Sequence, residues 1–477
     1  MASVFLATPP ASLGERYGAL ASAGARLPSL GLLCVAAVLA RAGHGVKIVD
    51  AAAAGLSMDQ VVARARKFAP DVAGVSATTA FAARAGEMAG KIQAAVPGVR
   101  TALGGPHASA CPEKVLEENP ALDFAVFGEG EETFLDLVET LAAGRGPAGV
   151  PGLAFRDGPA IRKNAPRPLI RDLDALPFPA WELLPGFPKA FRPAAFKFRR
   201  LPAAHAVTSR GCPHGCVFCD RSVFGRRTRF HSPGWVLEMV ERLSGRFGVR
   251  ELALEDDRFL ADPGRAAAIC EGLLSRGRRL SFSVAARADQ MDDPALLSLL
   301  ARAGCWQVSL GVESGDPEVL ARTCKGISLD QVRGAAARAK KAGLSVKGYF
   351  ILGLPGETLA TLARTLDFAC ELPLDDASAF FLTPFPGTEI FAEADRWGTL
   401  DPDFSRMNEL WPVFTPHGLS RQELSRAARR FAARFYLRPR VVAGYARRAA
   451  ANPALAPVLA RAFFGFLAHV AGKGEAR

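Results

Sequence analysis

The 477-residue chain is poor in the features that mark secreted and membrane-spanning proteins. No apolar run is long enough to cross a bilayer without charges. The start, Met1-Ala2-Ser3-Val4-Phe5-Leu6, lacks the basic stretch of a signal peptide and runs straight into a strand-like pattern. There are only nine cysteines, too few for a disulfide framework in a chain of this length. Six of them, Cys34, Cys111, Cys270, Cys305, Cys324 and Cys370, are scattered singly and read as small core residues. A reducing compartment, the cytoplasm, is expected. Acidic residues are outnumbered 47 to 59, giving a net charge of +12. Most of the excess lies at the end: from Arg421 to Arg477 there are twelve Lys/Arg against two acids. A solvated Arg-rich helical face explains that surplus; an acidic partner such as a phospholipid surface is the alternative. No nucleic acid partner is expected. The length suits two or three domains.

The remaining three cysteines are clustered, in Arg210-Gly211-Cys212-Pro213-His214-Gly215-Cys216-Val217-Phe218-Cys219. Three closely spaced thiolates suit three irons of a 4Fe–4S cluster, with the fourth iron open to a small molecule. The run follows a short apolar strand, Ala206-Val207-Thr208, in a loop that can wrap a cluster. A structural zinc site with His205 or His214 as fourth ligand is the competing reading.

Residues 1–143 alternate strand and helix patterns. Strands are expected at Ser3–Thr8, Gly45–Val49, Asp71–Ser76, Val99–Leu103 and Leu122–Phe127, with helices near 31–42, 58–68, 81–95, 112–119 and 131–143. This predicts an α/β unit with a doubly wound parallel sheet, whose ligands sit at the strand C-termini. Ser76-Ala77-Thr78-Thr79, Gly104-Gly105-Pro106-His107 and Gly128-Glu129-Gly130-Glu131-Glu132 fall at those ends. Their small residues let a large flat ligand approach the backbone. Residues 144–200 are rich in proline and read as a connector.

Residues 201–385 alternate again. Strands are expected at Ala206–Ser209, Glu251–Glu255, Leu280–Ala285, Trp306–Gly311, Ser345–Leu352 and Ala377–Leu382. Helices fall near 233–246, 263–277, 294–303, 329–342 and 358–370. Six βα units predict a partial (β/α)6 barrel of the TIM type, with its site at the strand C-termini. Asp256, Arg287, Glu313, Gly353 and Thr383 fall there. Residues 386–477 read as a mostly helical extension. Glu423–Leu437 is amphipathic and Ala454–Ala471 more apolar, with Arg438-Pro439-Arg440 between them. A lid over the barrel is the favoured reading; a membrane-surface helix is the alternative.

The cysteine spacing, with an aromatic before the last Cys, resembles the defining motif of the radical S-adenosylmethionine (SAM) enzymes. The N-terminal half is similar to the cobalamin (B12)-binding domain of one large radical SAM subfamily. Pro28-Ser29-Leu30-Gly31-Leu32, Gly43-His44-Gly45-Val46, the Gly-Gly-Pro-His turn and Gly-Glu-Gly-Glu-Glu-Thr-Phe carry that likeness, as does Asp172-Leu173-Asp174-Ala175-Leu176-Pro177. The Asp-x-His-x-x-Gly motif of cobalamin-dependent mutases is missing, so the resemblance implies a cobalamin whose lower face has no His ligand. It implies cluster ligation by Cys212, Cys216 and Cys219. It implies SAM contacts at Phe218, Asp256, Arg287, Ser309, Glu313 and Gly353. It implies cobalamin contacts at Leu30, Ser76, Thr78, Thr79, Gly104, Gly105, Pro106, His107, Gly128, Glu129 and Gly130.

The implied chemistry is reductive cleavage of SAM to a 5′-deoxyadenosyl radical, fed by a flavodoxin- or ferredoxin-type donor and acting on a small-molecule substrate. Methylation of an unactivated carbon through methylcobalamin is the favoured outcome. Cyclisation or rearrangement, as in the anaerobic magnesium-protoporphyrin ester cyclases, is the alternative, and a non-catalytic cobalamin or cluster sensor is a reading of another class. Methylthiotransferases fit less well, because only Cys34 and Cys111 precede the motif.

Overall fold

A computed structural model describes residues 1–194, 197–277, 280–452 and 456–470. The first sheet holds β1 (Ser3–Thr8), β2 (Gly45–Asp50), β3 (Val72–Ser76), β4 (Arg100–Gly104) and β5 (Phe124–Val126), all parallel. The strand order β2-β1-β3-β4-β5 reverses direction at β1, and helices at Leu30–Arg41, Met58–Phe68, Ala82–Ala95 and Gly130–Ala142 cover its two faces. β3 and β5 are apolar and largely buried, as parallel strands covered on both faces must be.

The proline-rich stretch after residue 143 is not wholly irregular. It opens with a hairpin, β6 (Leu153–Asp157) and β7 (Ala160–Lys163), that pairs antiparallel onto β5 and extends the sheet to seven strands. Asp157-Gly158-Pro159-Ala160 supplies the turn, with Gly158 at φ +60°. The prolines flank these short strands, where no ladder donor is needed.

The second sheet is a parallel partial barrel of β8 (Ala203–Ala206), β11 (Glu251–Leu254), β12 (Ser281–Ala286), β13 (Cys305–Glu313), β14 (Ser345–Leu352) and β15 (Asp376–Phe381). β15 and β8 are its two edges. The first barrel strand ends three residues earlier than the sequence pattern implied. Past it, β9 (Ser209–Arg210) pairs with β10 (Arg229–Phe230), clamping the base of the cysteine loop. Asp256 draws the chain out of the sheet there by accepting from Thr208 N and Ser209 Oγ.

A small pair, β16 (Gly398–Leu400) and β17 (Phe414–Pro416), leads to the C-terminal helices. Arg421–Tyr436 buries Leu424, Ala428, Phe431 and Phe435 against the barrel, Phe431 meeting Phe350 at 5.2 Å. The chain breaks at Arg438-Pro439-Arg440 as expected, but Pro439 starts a further helix there, Pro439–Ala451, beyond the two expected, because a first-turn position needs no N–H. The last helix covers Ala456–Val470; the expected ends at Ala454 and Ala471 lie outside the described residues. No helix among the described residues is long and apolar enough to cross a membrane.

Candidate cofactor sites

The cysteine loop occupies the C-terminal mouth of β8. Gly211, at φ +85°, starts it, and a Cβ there would lie 2.3 Å from the Arg227 carbonyl and 2.8 Å from that of Phe224. Only glycine lets the loop close so tightly. Val217 N donates to Thr323 O, and Ile390 N to Val217 O, so two distant segments hold the loop's far side. Cys216 is buried, Cys212 half-buried and Cys219 exposed. A hydrogen bond from Cys219 lowers the Cys216 thiol to about 6, while that same bond and burial push Cys219 up.

His205, one of the two fourth-ligand candidates for zinc, is tied through Nε2 to the Pro28 carbonyl at 2.9 Å. Among the described residues, no three His, Cys, Asp or Glu side chains converge on one ion position. A cluster gives each thiolate its own iron and needs no such convergence.

Beside the loop, Glu313 and Lys325 form a buried ion pair, both side chains under 10% exposed. Glu313 sits at φ +65°, and a Cβ on neighbouring Gly311 would lie 2.3 Å from Lys325 Nζ and 2.5 Å from Glu313 Oε1. Arg287 donates to the Lys325 carbonyl at 2.7 Å and to Asp289. Cys216 feels the charges of Lys325, Arg287 and Glu313, so these groups share one pocket with the loop. Ser309 lies on β13 in line with Gly311, on the same face. Phe218 packs with Val319, Leu354 and Ile390. Gly353 N and Leu354 N donate to Glu357, whose carboxyl is pushed up to about 8 by burial. Thr358, one residue on, caps the helix Leu359–Glu371.

Asp256, expected to face SAM, is otherwise engaged. It accepts from Thr208 N, Thr208 Oγ1 and Ser209 Oγ, at 2.7, 3.1 and 2.7 Å, and so braces the loop.

On the other side of the loop, a cleft separates the first sheet from the barrel. Leu30, Ser76, Gly104, Gly105, Gly128 and Gly130 wall it from the sheet; Val207, Arg210 and Phe224 wall it from the cysteine loop. Open space lies above Gly128, which fits close approach of a bound ligand.

Four expected contacts stand outside this cleft. Thr78 and Thr79 begin a short turn beyond Ser76, and Pro106 is the first residue of the helix Pro106–Ala110. His107 is buried against Phe404 and Cys111 Sγ, and burial lowers it to about 4, so it is neutral. Glu129 does reach the cleft, but its carboxylate is spent. It accepts from Arg210 at 2.8 Å, Arg229 at 2.7 Å and Ile170 N at 2.9 Å. Arg210 also donates to Glu131 at 2.6 Å. Sequence reasoning missed this four-residue lock. Its signal was an Arg two residues before Cys212, facing a Gly-Glu-Gly-Glu turn.

A B12 binding domain model matches residues 17–138, and a radical SAM superfamily model matches residues 206–369. An uncharacterised methyltransferase of Pyrococcus horikoshii is 34% identical, over 87% of this chain and 89% of its own. The chain belongs to the cobalamin-binding radical SAM family. A cytidylyl-2-hydroxyethylphosphonate methyltransferase of Streptomyces wedmorensis is 30% identical, over 84% of this chain and 85% of its own. An anaerobic magnesium-protoporphyrin IX monomethyl ester cyclase of Cereibacter sphaeroides is 30% identical, over 84% of this chain and 65% of its own. The fold matches that of a radical SAM methyltransferase, TsrM, from Kitasatospora setae, at TM-score 0.68 and 18% identity, over 83% of this chain and 75% of that one. As a radical SAM enzyme of this family, the chain takes cobalamin, a 4Fe–4S cluster and SAM. The donor set fits: three thiols on one glycine-started loop, a buried ion pair beside it, and a glycine-walled cleft facing it.

Proposed function

We propose that this radical SAM enzyme methylates an unactivated carbon of a small molecule. One observation carries the reading. Arg210, two residues before Cys212, is bonded to Glu129 and Glu131 at the rim of the cobalamin cleft. The cluster loop and the cleft are therefore fixed face to face across one buried network. That arrangement suits transfer between two cofactors, and the two methyltransferase relatives, each aligned over more than four fifths of the chain, support it.

When bound, the cluster supplies one electron to SAM and the cobalamin supplies the methyl group. The chain's own groups position and exclude. Cys212, Cys216 and Cys219 hold the cluster. Glu313, whose Oε1 already meets Lys325, accepts from ribose hydroxyls on the lone pairs left to its carboxylate. Arg287 faces the SAM carboxylate. Ser309, Gly353 and Phe218 complete that pocket, and Asp256 fixes the loop rather than the ligand. Leu30, Ser76, Gly104, Gly105, Gly128 and Gly130 take the corrin. A flavodoxin- or ferredoxin-type protein delivers the electron.

The test is anaerobic turnover of reconstituted protein with cobalamin, SAM, a strong reductant and extract of its own cells. Mass spectrometry would follow 5′-deoxyadenosine and S-adenosylhomocysteine together. Both are expected to rise. Deoxyadenosine alone would replace methyl transfer by cyclisation or rearrangement. Neither, with a cluster present, would overturn the reading.

A further inference from the structure

A six-stranded barrel leaves a lateral gap between β15 and β8, and an exposed edge strand needs cover. Here the N-terminal segment crosses that gap, tied to β8 by the bond from His205 to Pro28 O. The loop before β17 runs along β15, Phe381 N donating to Glu409 O. The helices Arg421–Tyr436 and Ala456–Val470 close the outside. They do not fill the gap. A cavity of about 920 Å³ remains, at the upper end of the ~300–1,000 Å³ typical of small-molecule sites.

Its wall has a definite chemistry. Tyr17, Leu20, Phe380, Trp411 and Phe466 make it apolar and aromatic. One side chain on it is acidic, Glu409, and six are basic: Lys197, Lys347, Arg406, Arg421, Arg426 and Arg429. Lys347 pairs with buried Asp376, and Arg406 and Arg421 share Asp401. Arg426 bonds the neutral amide of Gln422. Burial raises the Glu409 carboxyl's pKa, and the neighbouring charge of Lys197 opposes that.

On the barrel side the cavity comes within one strand of the Glu313–Lys325 pair. Tyr349 lines it and pairs in register with Gly311, the residue packed against the Glu313–Lys325 pair. At the outer end, the helix carrying Phe466 leaves Phe463 and Phe464 49% and 69% exposed.

We propose that this cavity is the substrate site, and that it takes a molecule with a bulky apolar body and one acidic group, carboxylate or phosphate. Only the word substrate rests on the methyltransferase reading; the binding chemistry rests on the cavity. The apolar body lies along β15 and the acid meets the cationic rim. The molecule comes either free from solution or from a bilayer touched by Phe463 and Phe464.

The test is binding of cis-parinaric acid, a fluorescent apolar carboxylate, to the full chain without SAM. Saturable one-to-one binding is expected. Its methyl ester is expected to bind roughly tenfold or more weakly, as loss of one charge-assisted contact implies. Ser425→Trp, on the cavity wall, should abolish binding, and Arg426→Glu should weaken the acid but not the ester. Both variants are first checked for wild-type melting. Ester and acid binding equally, or both variants binding like wild type, would overturn the proposal. Parinaric acid presented in phosphatidylcholine–phosphatidylglycerol vesicles separates the sources. Faster transfer from vesicles, lost in Phe464→Ser, assigns the bilayer, and unchanged transfer assigns solution. SAM cleavage without probe binding would sink the cavity alone; probe binding without SAM cleavage would sink the reaction reading alone.

Discussion

Replacing Arg210 by Met tests whether the cobalamin unit and the cluster loop are coupled by charge. The guanidinium is 7% exposed and meets Glu129 at 2.8 Å and Glu131 at 2.6 Å, carboxylates only 3% and 7% exposed. Removing one partner of a buried pair costs about 3–5 kcal/mol, because the other charge stays desolvated. The loss is unequal here. Glu129 keeps Arg229 at 2.7 Å and the Ile170 N–H at 2.9 Å, whereas Arg210 is the cation that meets Glu131. Most of the ~4 kcal/mol expected from that range should therefore come from Glu131, and Glu131→Gln in the Arg210→Met background should return much of it. Urea titration followed by Trp fluorescence and by cobalamin absorbance supplies the assay, run as a double-mutant cycle. The wild type should lose both signals together. Arg210→Met should release cobalamin at lower urea than it unfolds the barrel. A single-variant loss within about 0.5 kcal/mol, or strictly additive effects of the two substitutions, would refute the coupling.

Further substitutions separate the sites. Gly211→Ala should leave the barrel folded but cut iron incorporation, since a Cβ there meets the Arg227 carbonyl at 2.3 Å and the backbone sits at φ +85°; iron and sulfide analysis checks it. Gly311→Ala should weaken SAM binding with cobalamin binding unchanged, because the new methyl parts Lys325 from Glu313; calorimetric SAM titration reads it, and equal affinity would remove that pair from the SAM site. Glu357 gives a pH prediction. Its pKa is raised from 4.5 to about 8 by burial, so its contribution to stability is fully present below pH 4.5 and is lost as pH rises through 8. Glu357→Gln, still able to accept from Gly353 N and Leu354 N, should flatten the fall in melting temperature between those limits.

Helices were legible from their apolar periodicity, and several also carry a start signal the sequence states. Ser57, Ser232, Ser328 and Ser420 cap helices that begin one residue later. Strand ends were less legible. β8 stops at Ala206 although Val207-Thr208 continue an apolar pattern, because Asp256, forty-eight residues on, takes the Thr208 backbone. No local signal carries that bond. The same limit separates two kinds of expected site residue. Glycines at strand ends kept their places at the cleft, since their reason is backbone geometry that a short motif encodes. Charged and polar residues beside them did not all do so. Glu129 serves Arg210 and Arg229, and His107 is sealed under Phe404.

A buried charge is explained by its partner, and the partner comes from another domain that the motif cannot show. The lock therefore changes what the Gly-Glu-Gly-Glu turn is for. Its glycines leave room beside the cleft, while its acids hold the loop that carries Cys212. One four-residue turn thereby sets the spacing between two cofactors. Glu131→Gln should disturb that spacing while leaving the cleft-lining glycines in place. If Glu131→Gln instead weakens cobalamin binding and leaves the cluster's paramagnetic resonance unchanged, the acids belong to the cleft alone and the lock has no role in aligning the two sites.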